Sequence, residues 1–216
     1  MAVMRSFSSR DSSGRAAVDF DAGGWSPVPV QPAAAIPLIV PGWRDSGPGH
    51  WQTLWAARLG GARRVVQEDW FKPSRDAWVA TLAREVLEAP GPVVIVAHSL
   101  GCIATAHLPR EAAHRVRAAL LVAPADPERH AVLRDFAPAP HQRLPYPSIV
   151  VASSNDPYCP ARLAGAYARA WGSEFLRLND AGHVNVDSGH GEWPLGFALL
   201  HSLMTASIPS PQQFAT

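Results

Sequence analysis

Ser99 stands in AHSLG (97–101), between an unbroken apolar run, VVIVA (93–97), and small residues that can open a helix. This fits the small-x-Ser-x-small pattern of a nucleophile elbow, a sharp strand-to-helix turn that lifts a serine hydroxyl above a sheet. Small residues on both flanks let strand and helix pass close together, and the helix N-terminus favours the negative charge that develops on an attacked carbonyl. Ala97 takes a place where glycine is more usual. The plainer alternative is a serine that caps a helix at a strand-helix junction.

A serine is a poor nucleophile until a base takes its proton, and that base must be held in one tautomer by an acid. In the elbow type of site the partners follow in the chain order Ser, acid, His. His183, in NDAGHVN, is the candidate base, and Asp156, in SSNDPYC, is the candidate acid. Asp126, in APAD, is a rival for the acid. Asp180 and Asp187 lie too near His183 in sequence for the chain to aim them easily. Each candidate also has an ordinary reading: Asp156 as a turn cap and His183 as a loop histidine. The oxyanion needs two N–H donors, one from the residue after the nucleophile, Leu100, and one from the loop after the first strand. VPGW supplies that loop, with Gly42 for backbone freedom and Trp43 for the second N–H.

These residues need a frame, and the hydrophobic pattern describes one. Strand-like runs occur at IPLIV (36–40), more weakly at ARRVVQ (62–67), and at PVVIVA (92–97), RAALLVA (117–123), YPSIVVA (146–152) and EFLRL (174–178). Helical spacing appears in HWQTLWAARLG (50–60), in a segment that Ser74 can cap, with Trp78 or Val79, Leu82 and Val86 on its apolar side, and after Ser99. ARLAGAYARAW (161–171) and WPLGFALLHSLM (193–204) complete the helices. Fully apolar strands joined by helices indicate a parallel sheet covered on both faces, a three-layer α/β sandwich of about six strands. Chemistry in such sheets sits at the carboxyl ends of the strands, where PGW, HSLG, APAD, SSNDPYC and NDAGHVN all fall.

Other classes lose support. No GxGxxG or GxxxxGK[ST] follows any strand, so nucleotide-binding folds of this class are disfavoured. At 216 residues, with 47% apolar and 17% charged residues and a formal charge of +1, the chain suits one globular domain without broad attraction to nucleic acid or anionic membranes. The longest aliphatic run is far below the roughly 20 residues of a membrane-spanning helix. Cys102 and Cys159 form no zinc or redox motif, which makes a reducing cytoplasm the default. His183, Asp187 and His190 lack further ligands at natural spacing, so no metal site is expected. Residues 1–35 and 206–216 read as flexible tails around a domain spanning 36–205, with no secretory h-region at the start.

Taken together, VPGWRDSGPGHWQTLW, QEDWFKPSRDAWV, VVIVAHSLG, LLVAPAD, VVASSNDPYCP and AGHVNVDSGHGEWPLG resemble the small serine hydrolases grouped with retinoblastoma-binding protein 9, in the α/β-hydrolase superfamily. The resemblance runs from about residue 37 to 200. It implies a Ser99, Asp156, His183 triad, favours Asp156 over Asp126, and implies hydrolysis of a carboxylic ester or amide without a cofactor. His190, in HGEW, departs from the apolar residue expected at that place, and the N-terminal extension lies outside the resemblance.

The segment between the fourth and fifth strands is too short for an independent lid domain, so an open, shallow site for short acyl groups is expected. Gly42, His98, Trp70 and Trp193, together with Trp43 and Trp51, could line it, although core packing is the commoner fate of a tryptophan. His98 should point away from the serine's reacting face and act as packing or wall. His50, His107 and His190 are read as surface or supporting residues. An amidase or peptidase would use the same triad, and a protein-binding module on the same scaffold is the alternative from another class.

Overall fold

The computed structural model describes residues 35–205. The expected tails at 1–34 and 206–216 lie outside the described residues. Ala35, the last residue of the expected N-terminal extension, is buried.

Six parallel strands form one sheet in the order β2-β1-β3-β4-β5-β6. They are β1 (Ile36–Val40), β2 (Arg63–Arg64), β3 (Val93–His98), β4 (Val116–Val122), β5 (Ser148–Ser153) and β6 (Glu174–Leu178). The helices are α1 (Trp51–Arg58), α2 (Arg75–Leu87), α3 (Leu100–Ala106), α4 (Arg110–Ala113), α5 (Ala161–Trp171) and α6 (Pro194–Thr205). The long segment 123–147 contains a short 3₁₀ helix, Ala131–Phe136, and no lid domain.

The continuous apolar runs are explained by the two cores. Alternate residues of β3 face opposite sides: Val93, Ile95 and Ala97 join one cluster with Trp78, Leu82 and Val86 of α2. Val94 and Val96 join the other, with Trp51 and Trp55 of α1 and Leu200 and Leu203 of α6. A strand buried on both faces has no polar side to alternate with, which is why periodicity of two is absent from it.

Two local expectations change. The run 62–67 pairs with the sheet only at Arg63 and Arg64, in register with Leu38 and Ile39. Val66 is exposed, so the chain has left the sheet edge by then. Ser74 does occupy the N-cap of α2, yet its side chain makes no capping bond. Asp135 takes that part instead, its Oδ2 accepting the Arg75 N–H at 2.7 Å from across the fold.

Between β1 and β3 the strand order reverses direction, since β1 leads outward to β2 and the chain then returns to lay β3 on β1's other side. A crevice outside the carboxyl ends of strands opens at such a switch point. Val40 pairs with Ala97 there, so the PGW loop and AHSLG leave the sheet side by side.

Candidate active site

Ser99 has φ 54° and ψ −121°, a left-handed conformation that a non-glycine residue adopts only under constraint. The constraint is visible in the backbone. The Ser99 N–H donates to Val122 O at 3.0 Å, and Ser99 O accepts from Cys102 and Ala125 N–H groups. The small flanks are required by close approach. A Cβ on Gly101 would lie 2.5 Å from Val40 O, and one on Gly42 would lie 2.7 Å from Ser99 Cβ and 3.2 Å from Leu100 N. The PGW loop therefore presses directly on the elbow.

The side chains converge as follows. His183 Nε2 lies 2.9 Å from Ser99 Oγ. On its far side His183 Nδ1 lies 3.0 and 2.9 Å from the two Asp156 oxygens. A carboxylate can only accept, so Nδ1 carries the proton and Nε2 turns its lone pair to the serine O–H. The Asp156 side chain is 2% exposed, and its Oδ1 also accepts the Tyr158 N–H at 2.8 Å. The Tyr158 ring packs on the imidazole at 4.4 Å between centroids. Such a chain can move the serine proton to the imidazole and stabilise the resulting cation.

Asp126 is not brought to His183; its Oδ1 accepts the Glu128 N–H and ends a turn. Asp180 accepts from Ser154 Oγ. Asp187 lines the mouth of the cavity without meeting the imidazole. What aims Asp156 and His183 at each other is a set of contacts the sequence reading missed. Ser153 Oγ, Ser154 Oγ and Asn155 Oδ1 accept the N–H groups of Ala181, Asp180 and Gly182, in that order, at 2.8–2.9 Å. The polar triplet immediately before Asp156 thus fastens its loop to the one that carries His183. Its only signal in the sequence is that composition.

In front of Ser99 opens a cavity of about 250 Å³, whose walls include Trp43, His50, His98, Ala125, Leu133 and Tyr158. Trp43 is held by an indole N–H donated to Phe71 O at 3.1 Å, with the Arg44 guanidinium 4.2 Å above its ring. No acceptor engages the Trp43 backbone N–H among the described residues. The Leu100 N–H is first in α3, where a helix has no acceptor of its own to offer. Gly42 is buried and does not line the cavity.

Three of the expected wall residues belong to the core instead. Trp70 packs edge-on against Trp78. Trp193 stacks on Trp55 and meets Trp51 edge-on. Trp51 is fully buried, its indole N–H donating to Val184 O. An indole removes so much apolar surface from water that burial wins wherever its N–H finds a carbonyl. His107 donates to Phe136 O and His190 meets Ser188 Oγ; neither lines the cavity.

The two histidines beside the serine are buried. His98 holds a 2.9 Å bond from Nε2 to the His183 carbonyl, anchoring the backbone of the candidate base. His50, taken above for a surface or supporting residue, is 5% exposed and caps α1 through Nδ1, which accepts the Gln52 N–H. Loss of hydration on burial, with Arg64 and then His183 nearby, lowers its pKa from 6.5 to about 4. Burial, with His183 and His50 close, holds His98 well below the ordinary histidine range too. Both are neutral when folded and take up protons when unfolded, so the stability tied to them is whole above pH 6.5 and is lost as pH falls below it, for His50 down to about 4. The His50 part amounts to about 3 kcal/mol. Urea unfolding between pH 7.5 and 4 should show this fall, and His50→Asn, which keeps a capping oxygen, should flatten it; parallel pH curves for the two proteins would contradict the assignment.

Among the described residues no group of three or more His, Cys, Asp or Glu side chains is arranged to hold a metal ion, and no helix is long and apolar enough to cross a membrane.

Comparison with known proteins extends this picture. A putative YdeN-like hydrolase from Pectobacterium atrosepticum is similar at 32% identity and a TM-score of 0.73, over 81% of this chain and 94% of that one. The ydeN gene product from B. subtilis superposes with a TM-score of 0.66 at 21% identity, over 80% of this chain and 100% of that one. The carboxylesterase CesB from Bacillus subtilis does so at 0.58 and 13% identity, over 82% and 85%. The last two likenesses are of fold. No curated protein matches the chain. Residues 37–202 match the model of the serine hydrolase family. Because that match runs from the first strand into the last helix and takes in every side chain of the site, the chain belongs to the serine hydrolase family, on an α/β-hydrolase fold.

Proposed function

We propose that the chain hydrolyses small carboxylic esters or amides through an acyl-enzyme. Ser99 attacks the carbonyl carbon, His183 takes the hydroxyl proton, and Asp156 holds the imidazole in its tautomer and stabilises the cation. The Trp43 and Leu100 N–H groups hold the oxyanion, each such donor being worth about 3 kcal/mol in a water-excluded site. His183 then protonates the leaving alcohol or amine. Water, deprotonated by the same imidazole, attacks the acyl carbon and releases the acid and free Ser99.

The observation that carries this reading is the continuous contact from Ser99 Oγ through His183 to Asp156, at 2.9 Å on each side of the ring. Within the serine hydrolases we assign the chain to the group of retinoblastoma-binding protein 9, on the VPGWRDSGPGHWQTLW and AGHVNVDSGHGEWPLG segments. The modest cavity and the absence of a lid in 123–147 favour short acyl groups. Two free thiols, Cys102 and Cys159, suit work in a reducing cytoplasm.

A fluorophosphonate probe tests the mechanism directly, because it reacts with an activated serine and not with a capping one. Labelling should map to Ser99 and cease when the protein is unfolded beforehand. Folded protein that stays unlabelled would instead be a binding module on a hydrolase scaffold.

A further inference from the structure

Gln52 lies on the first turn of α1 and is fully buried, a costly place for a primary amide unless all of it is used. Its Nε2 donates to Val40 O at 3.1 Å and to Val96 O at 2.9 Å. Its Oε1 accepts the Ser46 O–H at 2.6 Å. The two carbonyls belong to neighbouring strands at the switch point. Val40 ends β1 immediately before Pro41-Gly42-Trp43, and Val96 lies three residues before Ser99. Ser46 closes the same loop that Val40 opens.

One side chain therefore grips both ends of the loop that carries the Trp43 N–H, and at the same time the strand that carries Ser99 and Leu100. The loop needs such anchors. Arg44 and Asp45 stand at φ 67° and 65°, left-handed values that relax unless the surroundings hold them. Arg64 assists from the edge, donating to Asp45 Oδ1 and to Ser46 O. Thr53, next to Gln52, donates to Ser46 O as well.

We infer that Gln52 is a positioning residue for the oxyanion site, setting the separation of the Trp43 and Leu100 N–H groups by tying their two chain segments to one amide. This rests on the hydrolase reading above. Gln52 does not line the cavity, so it acts through the loop and not on the substrate. The oxyanion forms only in the transition state, and a misplaced donor lowers kcat while leaving KM nearly as it was.

The test uses a short-chain p-nitrophenyl ester, with rates normalised to sites titrated by the fluorophosphonate and folding followed by thermal unfolding. Gln52→Leu removes all three bonds. It should lower kcat per titrated site by about 10- to 100-fold, with KM within about threefold of wild type and probe labelling slowed in parallel. Ser46→Ala frees only the far end of the loop and should lower kcat several-fold, again without a rise in KM. A merely structural role would lower the unfolding temperature and the number of titrated sites but not the kcat of each.

Wild-type kcat per site in Gln52→Leu overturns the inference. If Gln52→Leu does not fold, Ser46→Ala decides: wild-type kcat, or a loss confined to KM, overturns it. Wild-type protein that takes no label at Ser99 and cleaves no ester removes the hydrolase reading itself and this inference with it, whereas normal labelling and turnover in wild type and both variants removes only the role of Gln52.

Discussion

Ser99→Ala is expected to lower kcat/KM for an activated short-chain ester by on the order of 10⁴-fold or more, while the protein still folds. The size follows from how the site works. Serine, imidazole and carboxylate act as one unit, so deleting the nucleophile forfeits nearly everything the unit supplies. What survives is the binding energy and whatever the oxyanion donors give to attack by water. The fold should be retained because the elbow is held by backbone bonds, Ser99 N–H to Val122 O and Ala125 N–H to Ser99 O, and neither needs the hydroxyl. The measurement is initial-rate hydrolysis beside thermal unfolding of the same preparation. A folded Ser99→Ala protein with wild-type turnover would show that Ser99 is not the nucleophile.

Asp156→Asn should cost on the order of 10⁴-fold in kcat, with Asp126→Asn held within a few-fold of wild type. Asp156 accepts from His183 Nδ1 and so leaves the Nε2 lone pair facing Ser99 Oγ. An asparagine can present its NH₂ to Nδ1, which turns Nδ1 into an acceptor and puts the proton on Nε2, where it blocks deprotonation of the serine. Geometry is kept and the tautomer is wrong. Asp126 has no such contact; its Oδ1 serves a turn through the Glu128 N–H. The two variants, assayed side by side with Ser99→Ala as the floor, decide the acid. A large loss in Asp126→Asn alone would transfer the role.

The order Ser99, Asp156, His183 could be read from the chain because Ser99 and Asp156 follow apolar runs that form buried strands and His183 follows the shorter edge strand EFLRL, and parallel strands deliver all such residues to one edge. The six strands were legible for the same reason, except at β2. There the pairing stops after Arg64 because an edge strand has one neighbour and nothing beyond to hold it. The tryptophans were less legible. Trp43, Trp51, Trp70 and Trp193 are alike as residues, and their fates differ by what each indole N–H and face can reach: the Phe71 carbonyl beside the cavity for Trp43, the Val184 carbonyl in the core for Trp51.

His50 and Gln52 were hidden for a related reason. Both sit at the start of an amphipathic helix, where polar residues ordinarily face water. Here that helix begins over the switch point, so its first turn is buried against two strand ends that still have carbonyls to satisfy. The same limit applies to Ser153, Ser154 and Asn155, whose partners lie 26 to 28 residues away.

The succession of strands, the elbow and its glycine, and the candidates for serine, acid and base were thus set by the linear pattern, since apolar period, small-residue spacing and succession along the chain are local properties. Which aspartate meets the histidine, which tryptophan borders the cavity, and which buried amide ties the PGW loop to β3 were decided by the tertiary structure alone. Each depends on hydrogen bonds between segments far apart in sequence, and composition carries no record of the distance or direction across which such a bond is made.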